Sequence, residues 1–117
     1  MEQKWTFQAG QAPHAVWLQM TQTHESVLAE LYGGTRPHLG AWAAAGPEQP
    51  VTGGAFGTHK ELPLARETAE KLSAASGCNV VCVSGIHVDH ASKEEINLLC
   101  ANAAQVIEAA VRQLSQP

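Results

Sequence analysis

Two histidines and an aspartate crowd one short segment, Gly85-Ile86-His87-Val88-Asp89-His90. Imidazoles beside a carboxylate can ligate a metal, move a proton or hydrogen-bond a polar ligand. His59, earlier in the chain, could complete a set of four with His87, Asp89 and His90 and serve a metal-dependent enzyme. The spacing H-x-D-H, however, matches none of the better-known zinc signatures. On an extended chain His87 and Asp89 share a face, and His90 leaves it unless the backbone has already turned. Asp89 could equally cap a turn or helix, with the histidines as polar surface or interface residues. A second set is cationic. Gly53, Gly54, Gly57, Thr58, His59 and Lys60 precede an expected helix, a setting in which backbone N–H groups and a lysine can cradle an anion. Lys60 would act as a point charge and Arg36 as a bidentate fork toward phosphate. Neither G-x-x-x-x-G-K-[ST] nor G-x-G-x-x-G occurs, so the alternative is glycines in tight turns and a solvated lysine. Cys78 and Ser84 have no context that marks an activated nucleophile, and Glu94 and Glu95 belong to a helix cap. Trp5, Trp17 and Trp42 could stack on a flat ring, although core or interface packing is their commoner role.

The elements that must position these groups follow from periodicity. Val80-Val81-Cys82-Val83 is a buried-strand pattern just before the histidine segment. Ser92 and Glu95 form a capping box at the start of a helix spanning about 93–114. Its apolar stripe is Ile96, Leu99, Cys100, Ala103, Ile107, Ala110, Val111 and Leu114, expected to be buried along one face. His87, Asp89 and His90 therefore sit where a strand ends and a helix begins, and open α/β sheets bind ligands at the carboxyl ends of their strands. Upstream, alternation predicts strands over 4–9, 14–22, 24–32 and 38–45, with Gly33-Gly34-Thr35-Arg36-Pro37 as a hairpin-type loop. Four antiparallel strands in a row are the economical reading. A weak Gly-rich strand follows over 51–56. Pro63 then suits the first turn of a helix whose inner face carries Ala65, Ala69 and Leu72 and which Gly77 ends. The expected fold is α+β: an antiparallel sheet of about 5–6 strands built from N-terminal hairpins, with two helices on one face, in a single domain over 1–117.

Composition limits the function. The 117 residues are 44% apolar and 15% charged with a net charge of −4, so the chain is globular and lacks the basic footprint of a nucleic-acid binder. No apolar run reaches membrane-spanning length, so no membrane is expected. Met1-Glu2-Gln3-Lys4-Trp5 has no signal-peptide pattern. Three widely spaced cysteines suggest a reduced, cytoplasmic protein, with Cys82 and Cys100 expected to be buried and Cys78 more exposed. The four N-terminal strands carry three tryptophans and many small apolar residues, and two helices cannot cover both faces of a sheet. An uncovered apolar face predicts a twofold homodimer, unless the hairpins curl into a sandwich.

Three blocks then carry a family resemblance: Gly33-Gly34 with Arg36-Pro37-His38-Leu39-Gly40-Ala41, Gly57-Thr58-His59-Lys60-Glu61, and Gly85-Ile86-His87-Val88-Asp89-His90-Ala91-Ser92-Lys93-Glu94-Glu95-Ile96. Over about 25–99 the chain resembles the LpdD-like prenylated-flavin chaperones that accompany UbiD-type decarboxylases, gallate decarboxylase among them. Members carry a G-H-K block followed by Asp where this chain has Thr58-His59-Lys60 and Glu61, and Asp-Asn where it has Asp89-His90, so the resemblance assigns His90 no role. The resemblance implies a non-catalytic homodimer with a fold similar to proteasome assembly chaperones. It would bind reduced prenylated FMN as cargo and help insert it into an apo-decarboxylase. Arg36, His38, His59, Lys60, His87 and Asp89 would hold the cargo, with no catalytic residue and no metal. A protein assembly chaperone without a small ligand remains an alternative.

Overall fold

Strand alternation decides which side of the sheet each residue serves. The computed structural model describes residues 2–57 and 60–116. In it β1 (Gln3–Ala9), β2 (Val16–Gln22), β3 (Ser26–Gly34), β4 (Ala41–Gly46), β5 (Gln49–Ala55) and β6 (Asn79–His87) form one sheet, with helices α1 (Leu62–Ser76) and α2 (Lys93–Leu114). Val16, Leu18 and Met20 of β2, Val27, Ala29 and Leu31 of β3, Ala41 and Ala43 of β4, and Val80 and Cys82 of β6 are all buried on one face. The intervening positions point the other way, as period-two geometry requires. Burial pushes the Cys82 thiol up to about 12.

The sheet order is β1-β2-β3-β6-β4-β5. It corrects the expectation of four consecutive antiparallel strands: β6 lies between β3 and β4, parallel to the first and antiparallel to the second. The physical reason lies in the Gly33–Pro37 loop, which does not reverse the chain as a hairpin. The Thr35 and Arg36 N–H groups both donate to the His87 carbonyl, at 2.9 and 3.2 Å. The loop is thereby tied across the end of β6 and sets β4 down on its far side. The sheet is mixed, although most of its pairings are antiparallel.

Both helices cover the same face. α1 lies over β4, β5 and β6, and α2 over β1 and β2. Pro63 stands in the first turn of α1, and Gly77 ends that helix in the left-handed conformation at φ 70°. The Ser92–Glu95 capping box is present in both directions. Glu95 also meets His14 Nε2 at 2.8 Å, and Asn102 Nδ2 donates to the His14 carbonyl at 2.9 Å, pinning α2 to the β1–β2 loop. The hydrogen bond from His14, with help from the Ser92 backbone, holds the Glu95 carboxyl below its ordinary pKa. Since β5 and β6 both run antiparallel to β4, they end at one edge of the sheet. The two helices start from that edge and descend side by side.

The α2 stripe needs correction in part. Leu99, Ala103, Ile107, Ala110 and Leu114 are buried, joined by Asn102 and Val106, but Ile96 is 50% exposed and Cys100 is exposed as well. Val111 is half-buried. Ile96 and Cys100 border a groove between the two helices and not a closed core. Cys78 is half-buried. Among the described residues the opposite sheet face carries no helix: Leu28, Trp42 and Val81 are exposed on it. Among the described residues, no helix is long and apolar enough to cross a membrane.

Candidate functional site

Three segments converge at the sheet edge from which the helices start: the end of β6 with the turn after it, the β3–β4 loop, and the residues just before α1. Val88 and Asp89 continue from His87 at the end of β6, and His87 Nε2 donates to Asp89 Oδ1 at 2.8 Å. Arg36, held over β6 by its own backbone N–H, brings Nη1 to Asp89 Oδ1 at 3.1 Å and to Oδ2 at 3.4 Å. The hydrogen bond from His87, then the charge and hydrogen bond of Arg36, keep the Asp89 carboxyl below the usual carboxylate range. His38, from the same loop, stands edge-on to His87 with ring centroids 6.0 Å apart. Its Nδ1 lies 3.1 Å from the Arg36 carbonyl and its Nε2 lies 3.4 Å from Glu61 Oε2.

Glu61, the residue before α1, closes this chain of groups. Its Oε1 accepts the Ile86 N–H at 2.8 Å, and its carbonyl accepts the Ser84 hydroxyl at 3.4 Å. The carboxylate occupies the space over Gly40, where any Cβ would collide with Oε2. Glu61 is not among the site residues expected from the sequence. Two signals point to it: its position between a glycine-rich strand and the proline of a helix start, and the acidic residue that closes the Gly57–Glu61 block.

Of the expected site residues, the structure brings Arg36, His38, His87 and Asp89 into one network and sets Lys60 beside Glu61. His59, expected to join His87 and Asp89, lies outside the described residues. His90 departs from the network. Its φ of 53° turns the chain out of the strand direction, and it borders the groove. Among the described residues, no three His, Cys, Asp or Glu side chains gather in a way that could hold a metal ion.

The network opens onto the groove between α1 and α2. This groove has a volume of about 710 Å³. Leu64 of α1 and Ile96, Leu99 and Ile107 of α2 wall it, while Lys60, Glu61, His87 and His90 stand at its sheet-edge end. Farther down, Lys71 pairs with Glu67 at 3.5 Å on the α1 rim. A site with one polar, partly cationic end and apolar walls suits a flat or elongated molecule with an anionic terminus.

A family model described as the prenylated flavin chaperone LpdD-like domain matches residues 10–115. No curated protein matches the sequence. Among solved structures, one described as a novel chaperone complex for yeast 20S proteasome assembly is similar. It has a TM-score of 0.59 at 12% identity, covering 97% of this chain and 94% of that one. At that identity the likeness is one of fold.

Proposed function

The chain belongs to the prenylated flavin chaperone LpdD-like family, and on that premise we propose that it binds reduced prenylated FMN and passes it to an apo UbiD-type decarboxylase, with no turnover of its own. The observation that carries this reading is the groove of about 710 Å³ with apolar walls, at one end of which Lys60, Glu61, His87 and His90 gather. That size lies within the range of small-molecule sites, roughly 300–1,000 Å³. Apolar walls exclude water from a reduced ring, and a cationic end meets a phosphate. Arg36, His38, His59, Lys60, His87 and Asp89 hold the cargo in this reading. Asp89 fixes the His87 ring and takes only Nη1 of Arg36, which leaves the other guanidinium donors for a phosphate. Gallate decarboxylase is the kind of enzyme served, in the cytoplasm.

The uncovered sheet face supports a homodimer. Leu28, Trp42 and Val81 are exposed there; Leu28 is in register with Val81, and Trp42 with Val83. Such a face on one chain pairs readily with its own copy. Sedimentation should give twice the chain mass at micromolar concentration, and a monomer mass would remove the dimer from this proposal.

The function is tested by transfer. The protein is incubated anaerobically with reduced prenylated FMN, freed of unbound cofactor and mixed with an apo-decarboxylase. Decarboxylase activity should rise well above that of apoenzyme given the same wash without the protein, and the chaperone alone should release no carbon dioxide. No rise in activity, with no cofactor retained after the wash, would overturn the reading.

A further inference from the structure

Resting on that chaperone reading, we infer that the α1–α2 groove is the compartment that distinguishes a prenylated flavin from an unprenylated one. The prenyl-derived carbons pack against the row Ile96, Cys100 and Ala104 of α2, with Leu64 opposite, and Lys60 holds the phosphate at the sheet-edge end. The row is unusual for its place. Residues four apart on a helix share one face, and all three of these are exposed. A helix that packs against a sheet ordinarily turns polar residues to water on such a stripe. Here the stripe is apolar and borders the groove, and beneath it lie the buried Leu99, Ala103 and Ile107. Among the described residues no element covers these side chains, so their apolar surface is available to a ligand.

The distribution of charge selects the occupant. Lys60, Glu61, His87 and His90 stand at the end where the helices begin; the Glu61 carboxylate is engaged by the Ile86 N–H and by His38, and Lys71 is engaged with Glu67 on the rim. A ligand that is apolar through its body and anionic at one end satisfies both parts at once. Plain FMN shares the phosphate and the ring. Only the prenylated molecule brings added carbons for the Ile96–Ala104 row. Burying apolar carbon is worth enough that a modest part of it separates two ligands tenfold.

The experiment is an anaerobic titration of the full chain with reduced prenylated FMN and, separately, reduced FMN. It uses wild type and Ala104→Phe, which fills the groove from an exposed position. Circular dichroism checks the fold of the variant, and Ile96→Ser, also at an exposed position, is measured alongside it. Wild type should prefer the prenylated cofactor by about tenfold or more, and each variant should reduce that preference severalfold. Alkylation followed by mass spectrometry gives a readout independent of affinity: prenylated cargo should slow reaction at Cys100 and leave Cys78, which does not border the groove, unchanged. If wild type binds the prenylated cofactor but neither variant alters the preference and Cys100 stays reactive, the groove assignment is overturned while the chaperone reading stands. If the groove instead receives a helix of the decarboxylase, the apo-decarboxylase alone will shield Cys100 and the flavin will not, which also overturns it. If wild type binds neither flavin, the chaperone reading itself fails.

Discussion

Replacing Glu61 by alanine should loosen the sheet edge at which the site is built. The carboxylate is 19% exposed and accepts the Ile86 N–H at 2.8 Å. Truncation leaves that half-buried amide without its charged acceptor, a loss of roughly 1.5–3 kcal/mol. The contact to His38 at 3.4 Å adds little, under about 1 kcal/mol, because the imidazole is half exposed. Glu61→Gln keeps an acceptor for Ile86 and should cost only about 1 kcal/mol, the difference between a charged and a neutral hydrogen bond. The assay is urea unfolding followed by tryptophan fluorescence, at fixed chain concentration so that self-association does not enter the comparison. A double-mutant cycle with Gly40→Ala sharpens it. In wild type the new methyl collides with Glu61 Oε2, so its cost should fall by about 0.5 kcal/mol or more once Glu61 is alanine. A loss below about 0.5 kcal/mol for Glu61→Ala, or no coupling to Gly40, would refute the view that this carboxylate holds the edge together.

Three further outcomes can be checked. Leu99→Ala, at a buried position under the groove, should lose roughly 2–5 kcal/mol in the same assay; a loss below about 1 kcal/mol would show that the site has no packed wall. The Asp89 carboxyl has its folded pKa lowered by His87 and Arg36, so its contribution is present above the unfolded value of about 4 and is lost as pH falls through the folded pKa. The stability difference between wild type and Asp89→Asn should therefore shrink on acidification below about pH 4, and a constant difference would contradict the network. Finally, Arg36→Ala or Lys60→Ala should weaken binding of reduced prenylated FMN by about ten- to a hundredfold, the worth of a charge-assisted hydrogen bond to phosphate. If neither does, the phosphate lies elsewhere.

Local chemistry made much of this structure readable in the sequence. The Ser92–Glu95 box and the 3.6-residue stripe place α2 at the observed Lys93–Leu114, and Pro63 and Gly77 bracket α1. Arg36, His87 and Asp89 are legible as polar groups near a strand end from residue type and strand phase, whereas His38 enters the site only through the family resemblance. The insertion of β6 between β3 and β4 is not legible. It depends on two backbone donors meeting one carbonyl more than fifty residues away, and no local pattern encodes that contact. Glu61 was hidden for the same reason, because its partner is the distant Ile86 amide. Ile96 and Cys100 follow the periodicity of the core and yet face the groove, since periodicity reports which side of a helix is apolar and not whether anything covers it.

The most direct test of the central claim is anaerobic equilibrium binding of reduced prenylated FMN to the purified chain, with bovine serum albumin as the control protein. The account predicts saturable binding that albumin does not show, followed by quantitative release of the cofactor to an added apo-decarboxylase. Wild-type protein that takes up no more cofactor than the control would contradict it.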